Sequence, residues 1–259
     1  MSAKMPVLFV GHGSPMNALE DNEFSRGWRS AAGRIPKPTA VLSVSAHWYI
    51  AESRLLATDR PRTIHDFWGF PDELYRVRYE PPGAPDWANA TAALIHSAPV
   101  GLDRSWGLDH GTWTVLTHMF PAADVPVYQL SINYDLPGET HFGIGRELKS
   151  LRDQGVLIIG SGNLVHNLGH LDWWRPDGGF DWAQDFNAKA RDLILAKEFA
   201  SLIDYEDLGS SAALAVPIPD HYWPLLYALG AAEPAESVTV FNDRCIFGSV
   251  SMISLIFGA

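Results

Sequence analysis

The sequence has a single cysteine, Cys245. One thiol cannot close an intramolecular disulfide, and no second thiol is present to build a zinc-finger or iron–sulfur pattern, so a reducing compartment is expected. Positive charge is also scarce. Lysine and arginine total 19 against 30 aspartates and glutamates, a formal net charge of −11. Phosphate-neutralising and anionic-lipid surfaces need the opposite sign, which argues against nucleic acid and membranes as partners. Long apolar runs are missing too. The best stretch, residues 249–257, is interrupted by serines, and nothing approaches the ~20 residues of a spanning helix. The first apolar run, residues 6–10, is shorter than the roughly 7–15 residues of a secretory signal core. A soluble cytoplasmic protein is the expectation. Catalytic signatures are absent as well: there is no Gly-x-Ser-x-Gly elbow, no Walker loop and no His-Glu-x-x-His pair, so serine hydrolases, P-loop enzymes and zinc proteases lack their marks. Without a polar linker or a fixed-period repeat, residues 1–259 read as one domain.

What is present is an ordinary globular composition, 47% hydrophobic and 19% charged. Apolar or β-branched runs ending in glycine, serine or histidine occur at 6–10, 40–46, 126–131, 156–159, 238–241 and 248–256. These are the expected strands. Helical spacing marks 87–96, 111–120, 139–152 and 182–202, the last with Ala188, Leu193, Ala196 and Ala200 along an apolar face. The alternation predicts an α/β fold, a central, largely parallel or mixed twisted sheet covered by helices on both faces.

Ten histidines carry the chemistry, because imidazole is both a common transition-metal ligand and a general base near neutral pH. Taken singly, a histidine is an ordinary polar residue; their placement matters more. His12 follows the first expected strand in Gly11-His12-Gly13-Ser14-Pro15, and His47 ends the second in Ser45-Ala46-His47-Trp48. The strand at 156–159 runs into Gly160-Ser161-Gly162-Asn163-Leu164-Val165-His166. Carboxyl ends of strands are where open α/β sheets bind ligands. His110 and His221 stand at expected helix starts, where Asp109 and Asp220 can cap the next turn. Gly160-Ser161-Gly162 begins like a dinucleotide fingerprint, but Val165 stands where its last glycine belongs. His170 reads as a bystander. Most of the ten tryptophans, including Trp48, Trp106, Trp113 and Trp223 beside the candidate histidines, read as packing residues.

Together these segments, spread over nearly the whole chain, resemble the class III extradiol ring-cleavage dioxygenases, the family of the protocatechuate 4,5-dioxygenase catalytic subunit. Within it they are most similar to the DOPA extradiol branch. The resemblance implies that His12, His47 and His221 bind the metal, His221 standing where the protocatechuate relatives have glutamate. It implies an acid/base role for His166, which also closes on the metal in the absence of substrate, and a substrate- or oxygen-contacting role for His110. The expected cofactor is Fe(II), with Zn(II) able to occupy the site on purification, and the expected partners are a catechol and O2. His166 would take a proton from the catechol, and ring opening would give a muconic-semialdehyde-type product.

Three histidines with an open position are also the constellation of a catalytic zinc hydroxide. A zinc-dependent hydrolase or lyase therefore stands beside the dioxygenase, as does a metal-binding protein that kept the fold without the reaction. No residue in the sequence visibly reads the substrate's carboxylate or amine; His118 and His141 are the candidates.

Overall fold

The computed structural model describes residues 4–259. The strands are β1 (Val7–Gly11), β2 (Ala40–Ile50), β3 (Ser53–Leu56), β4 (Val100–Asp103), β5 (Val127–Asn133), β6 (Val156–Gly162), β7 (Val238–Phe241), β8 (Cys245–Ile246), β9 (Val250–Ser251) and β10 (Ser254–Phe257). Eight of them form one mixed sheet in the order β4-β3-β5-β2-β6-β1-β10-β7, while β8 and β9 pair separately. The inner strands β5, β2, β6 and β1 are mutually parallel. β10 runs antiparallel to β1 and β3 antiparallel to β5.

The helices are α1 (Glu23–Ala32), α2 (Asp72–Tyr75), α3 (Pro85–Leu94), α4 (His110–Met119), α5 (Gly138–Leu148), α6 (Asp181–Ala196), α7 (Ala200–Ile203), α8 (Ala212–Ala215) and α9 (Trp223–Ala231). They cover both faces, which is why the central strands are apolar without alternation. Successive side chains point to opposite faces: Val7, Phe9, Leu42 and Val44 pack with residues of α3, α5, α6 and α9. Leu8, Val10, Val41 and Leu157 pack with Trp28 of α1 and Trp113 of α4 on the other side. Among the described residues no helix is long and apolar enough to cross a membrane.

Several local expectations change. β3 and β4 have no counterpart among the expected strands, being four residues each and, in β4, largely exposed. The run at 248–256 divides into β9 and β10. The helix expected over 182–202 stops at Ala196, where Lys197 takes a left-handed conformation (φ 64°). Its buried face is Ala183, Phe186, Asn187, Ala190 and Ile194, whereas Ala196 and Ala200 are exposed. Helical spacing supports either stripe; contact with the sheet selects the one that carries the larger side chains.

Register sets up the site. Ser45 of β2 pairs with Ser161 of β6, and Gly11 of β1 with Gly162, so the carboxyl ends of β1 and β6 lie level with the middle of β2, just before His47.

Candidate metal centre

His12 is the residue after β1 and is buried, with its backbone N–H donating to Gly162 O at 3.3 Å. His47 does not end its strand. It stands inside β2, in the stretch between Val44 and Tyr49 where the pairing with β5 shifts register; that irregularity turns the half-buried ring toward His12. His110 opens α4, whose first turn is capped by Asp109 accepting from Thr112 N at 3.2 Å. His221 sits in the turn before α9. Asp220 does not cap that helix as the spacing predicts: Tyr222 holds the cap position without a side-chain bond, and Asp220 Oδ1 instead accepts the His221 backbone N–H at 2.7 Å. The reason is that the turn folds back onto His221.

Gly160 and Gly162 have a different use from a phosphate cradle. A Cβ on Gly162 would lie 2.1 Å from His221 O, and one on Gly160 would lie 2.2 Å from Pro224 O. Only glycine lets the chain entering α9 lie directly on β6, which carries His221 to His12 and His47.

The ligand atoms of His12, His47 and His221 lie within 4.8 Å of one another. His12 Nδ1 is 3.1 Å from Ser161 Oγ, whose own proton goes to Gly111 O at 2.5 Å. Ser161 must therefore accept from His12, which places the His12 proton on Nδ1 and a lone pair on Nε2. His47 Nδ1 lies 3.2 Å from the carboxylate of Asp66, off the direction of the ring N–H, and its Nε2 stands 3.0 Å from that of His12. The free lone pair on His12 Nε2 thus points into a cluster with ring nitrogens of His47 and His221, a donor set that fits a metal ion. His221 Nδ1 is 3.0 Å from Asp220 Oδ1, off the direction of the ring N–H, and this buried nitrogen has no aligned partner.

Burial, and then the neighbouring imidazoles, hold His12 and His47 well below the ordinary histidine range, so both rings are neutral. The same causes depress His166, opposed by Asp220. His166 is not gathered into the His12–His47–His221 group. It lies flat on His221, ring centroids 3.4 Å apart and planes within 10°, in a second group with Asp220. His110 is 3.8 Å from His47 by ring centroid. Asp109, buried behind it, is pushed up to about 6 by burial and then by Asp66, against hydrogen bonds from Ser45 and Gln129.

His118 and His141 are elsewhere. His118 Nε2 donates to Asn17 O at 2.7 Å, and His141 Nδ1 meets Tyr227 Oη at 2.8 Å in the core. His170 is exposed, its ring 5.9 Å from Trp182. Trp48 and Trp106 stack on each other, and Trp223 packs on His141. Phe67 lies edge-on to His110 at 5.6 Å. Asp66 escaped sequence reasoning because one carboxylate in a loop carries no periodic signal; its only mark is its place in His65-Asp66-Phe67.

The chain belongs to the family described as the catalytic LigB subunit of aromatic ring-opening dioxygenase, which matches residues 6–255. It is 42% identical to the 4,5-DOPA dioxygenase extradiol of Escherichia coli K12 over 99% of this chain and 96% of that protein. It is 38% identical to the Beta vulgaris protein of the same name, over 92% and 91%. The crystal structure of an uncharacterized Escherichia coli K12 protein is similar with a TM-score of 0.86 and 38% identity, covering 98% of this chain and 100% of that one. Family and relatives support a ring-cleaving extradiol dioxygenase, and the zinc hydrolase or lyase is not favoured.

Proposed function

We propose that this enzyme opens the ring of DOPA or a DOPA-like catechol with O2, using Fe(II) held by His12, His47 and His221, in the cytoplasm. The observation that carries the metal assignment is the convergence of the His12, His47 and His221 ligand atoms within 4.8 Å of one another, with the His12 lone pair on Nε2. The substrate class rests on the names of the relatives. When bound, Fe(II) supplies chelation of the diol and the electron-transfer chemistry that dioxygen needs.

The chain's own residues do the rest. His166, neutral because of burial and its imidazole neighbours, takes a proton from the diol as general base. His110 donates its Nδ1–H to Asp66 at 2.9 Å, so Nε2 is the nitrogen left to meet substrate or oxygen. Phe67 packs edge-on against the His110 ring. Zn(II) fits the same imidazoles and lies above Fe(II) in affinity, but it has no redox chemistry.

The test strips the protein of metal, reloads it anaerobically with Fe(II) or Zn(II), and follows oxygen uptake and semialdehyde absorbance with L-DOPA and a small catechol panel. Uptake with iron alone is expected. His12→Ala and His47→Ala are each expected to lose metal retention and turnover together. No uptake with any catechol, or near-normal activity in either variant, overturns the reading.

A further inference from the structure

Asp66 sits in the loop between β3 and α2 with its side chain 16% exposed. Its Oδ1 accepts the backbone N–H of His110 at 2.9 Å, and its Oδ2 accepts the Nδ1–H of the same residue at 2.9 Å. That second oxygen also lies 3.2 Å from Nδ1 of His47. One carboxylate therefore accepts both N–H groups of His110, the imidazole assigned to the reaction, and lies against Nδ1 of His47, assigned to the metal, off the direction of a ring N–H. A carboxylate accepts only, so His110 keeps its proton on Nδ1 and its lone pair on Nε2.

We propose that Asp66 is a positioning residue that fixes the tautomer of His110 and couples its orientation to that of His47. The inference rests on the reading that His47 binds metal and His110 serves ring opening. An amide at this position has one accepting oxygen and one NH2 group. In Asp66→Asn the NH2 must face one of the two His110 N–H groups, so one donor loses its acceptor and the His110 ring is free to turn against His47.

Two readouts test this in the full-length protein. Zn(II) affinity, measured by competition with a chromophoric chelator, is expected to fall about 10- to 100-fold in Asp66→Asn, the usual range for partners behind metal-binding histidines. With saturating Fe(II), kcat for L-DOPA is expected to fall by a similar factor with little change in KM, as for a group acting on the chemical step. The double variant Asp66→Asn/His110→Gln is expected to have the kcat of His110→Gln alone, because the two act as one unit. Asp66→Glu, which keeps the charge and shifts it by one methylene, is expected to recover part of both losses, and it carries the test if the asparagine variant does not fold. Parental Zn(II) affinity and kcat in Asp66→Asn, additive kcat losses in the double variant, or parental values in Asp66→Glu as the sole folded variant overturn the proposal. The zinc arm needs no turnover. If no catechol reacts with the parent enzyme, the substrate reading fails while Asp66 is still judged by metal affinity.

Discussion

At the scale of single residues, His141 shows how burial alone sets a titration. Its side chain is buried in α5, with Tyr227 Oη at 2.8 Å and the Trp223 ring centroid at 4.3 Å. Burial pushes it from the ordinary 6.5 down to about 4. The unfolded chain therefore takes up a proton as pH falls through 6.5, whereas the folded chain does not until about 4. Stability that is fully present above the higher value is lost as pH falls toward the lower one, by about 3 kcal/mol at most. Denaturant unfolding of His141→Gln is expected to have a flatter acid limb over that window than the parent protein; identical limbs would remove His141 as the cause. The lone thiol is likewise set by its surroundings: burial and then Asp243 push Cys245 up to about 12, which leaves it protonated and poorly suited to bind metal.

At the scale of elements, the meeting of β6 with the segment that enters α9 governs the site. Gly162→Ala would drive a methyl into His221 O at 2.1 Å, a clash with backbone that must move the chain. Overpacking of this kind costs about 1–3 kcal/mol, and His221 moves with its own carbonyl. A lower Tm together with weaker metal retention is the expected result. Gly143→Ala in α5 is the control: its Cβ would meet only Ser97 Oγ at 3.5 Å, and alanine in a helix interior gains about 1 kcal/mol over glycine. If Gly162→Ala behaves like the control, the close approach is not what seats His221. Helix identity was legible here and face was not. The spacing over 182–202 admits two apolar stripes, and packing on the sheet chose Ala183, Phe186, Ala190 and Ile194. β4 was illegible for a related reason, since an exposed edge strand carries little apolar signal.

For the whole molecule, a buried arginine joins elements far apart in the chain. Arg152, with no exposed side-chain surface, donates Nε to Met5 O and Nη1 to Ala231 O, both at 2.7 Å, and pairs with Glu236 through Nη1 and Nη2. It thereby ties the approach to β1, the end of α9 and the approach to β7 to one another. Arg152→Ala is expected to cost about 3–5 kcal/mol in denaturant unfolding, because it leaves Glu236 unpaired and two carbonyls without donors. A loss under about 1 kcal/mol would mean that water replaces the guanidinium. The sequence by itself determined the acidic composition, the α/β alternation and the grouping of five histidines near expected strand ends and helix starts, because composition and periodicity are local properties of the chain. Tertiary structure decided which nitrogen of each ring is free. The partners that fix those protons, Ser161 for His12 and Asp66 for His110, are 149 and 44 residues away in sequence. Strand register and the bend within β2 bring them together, and no local pattern records that meeting.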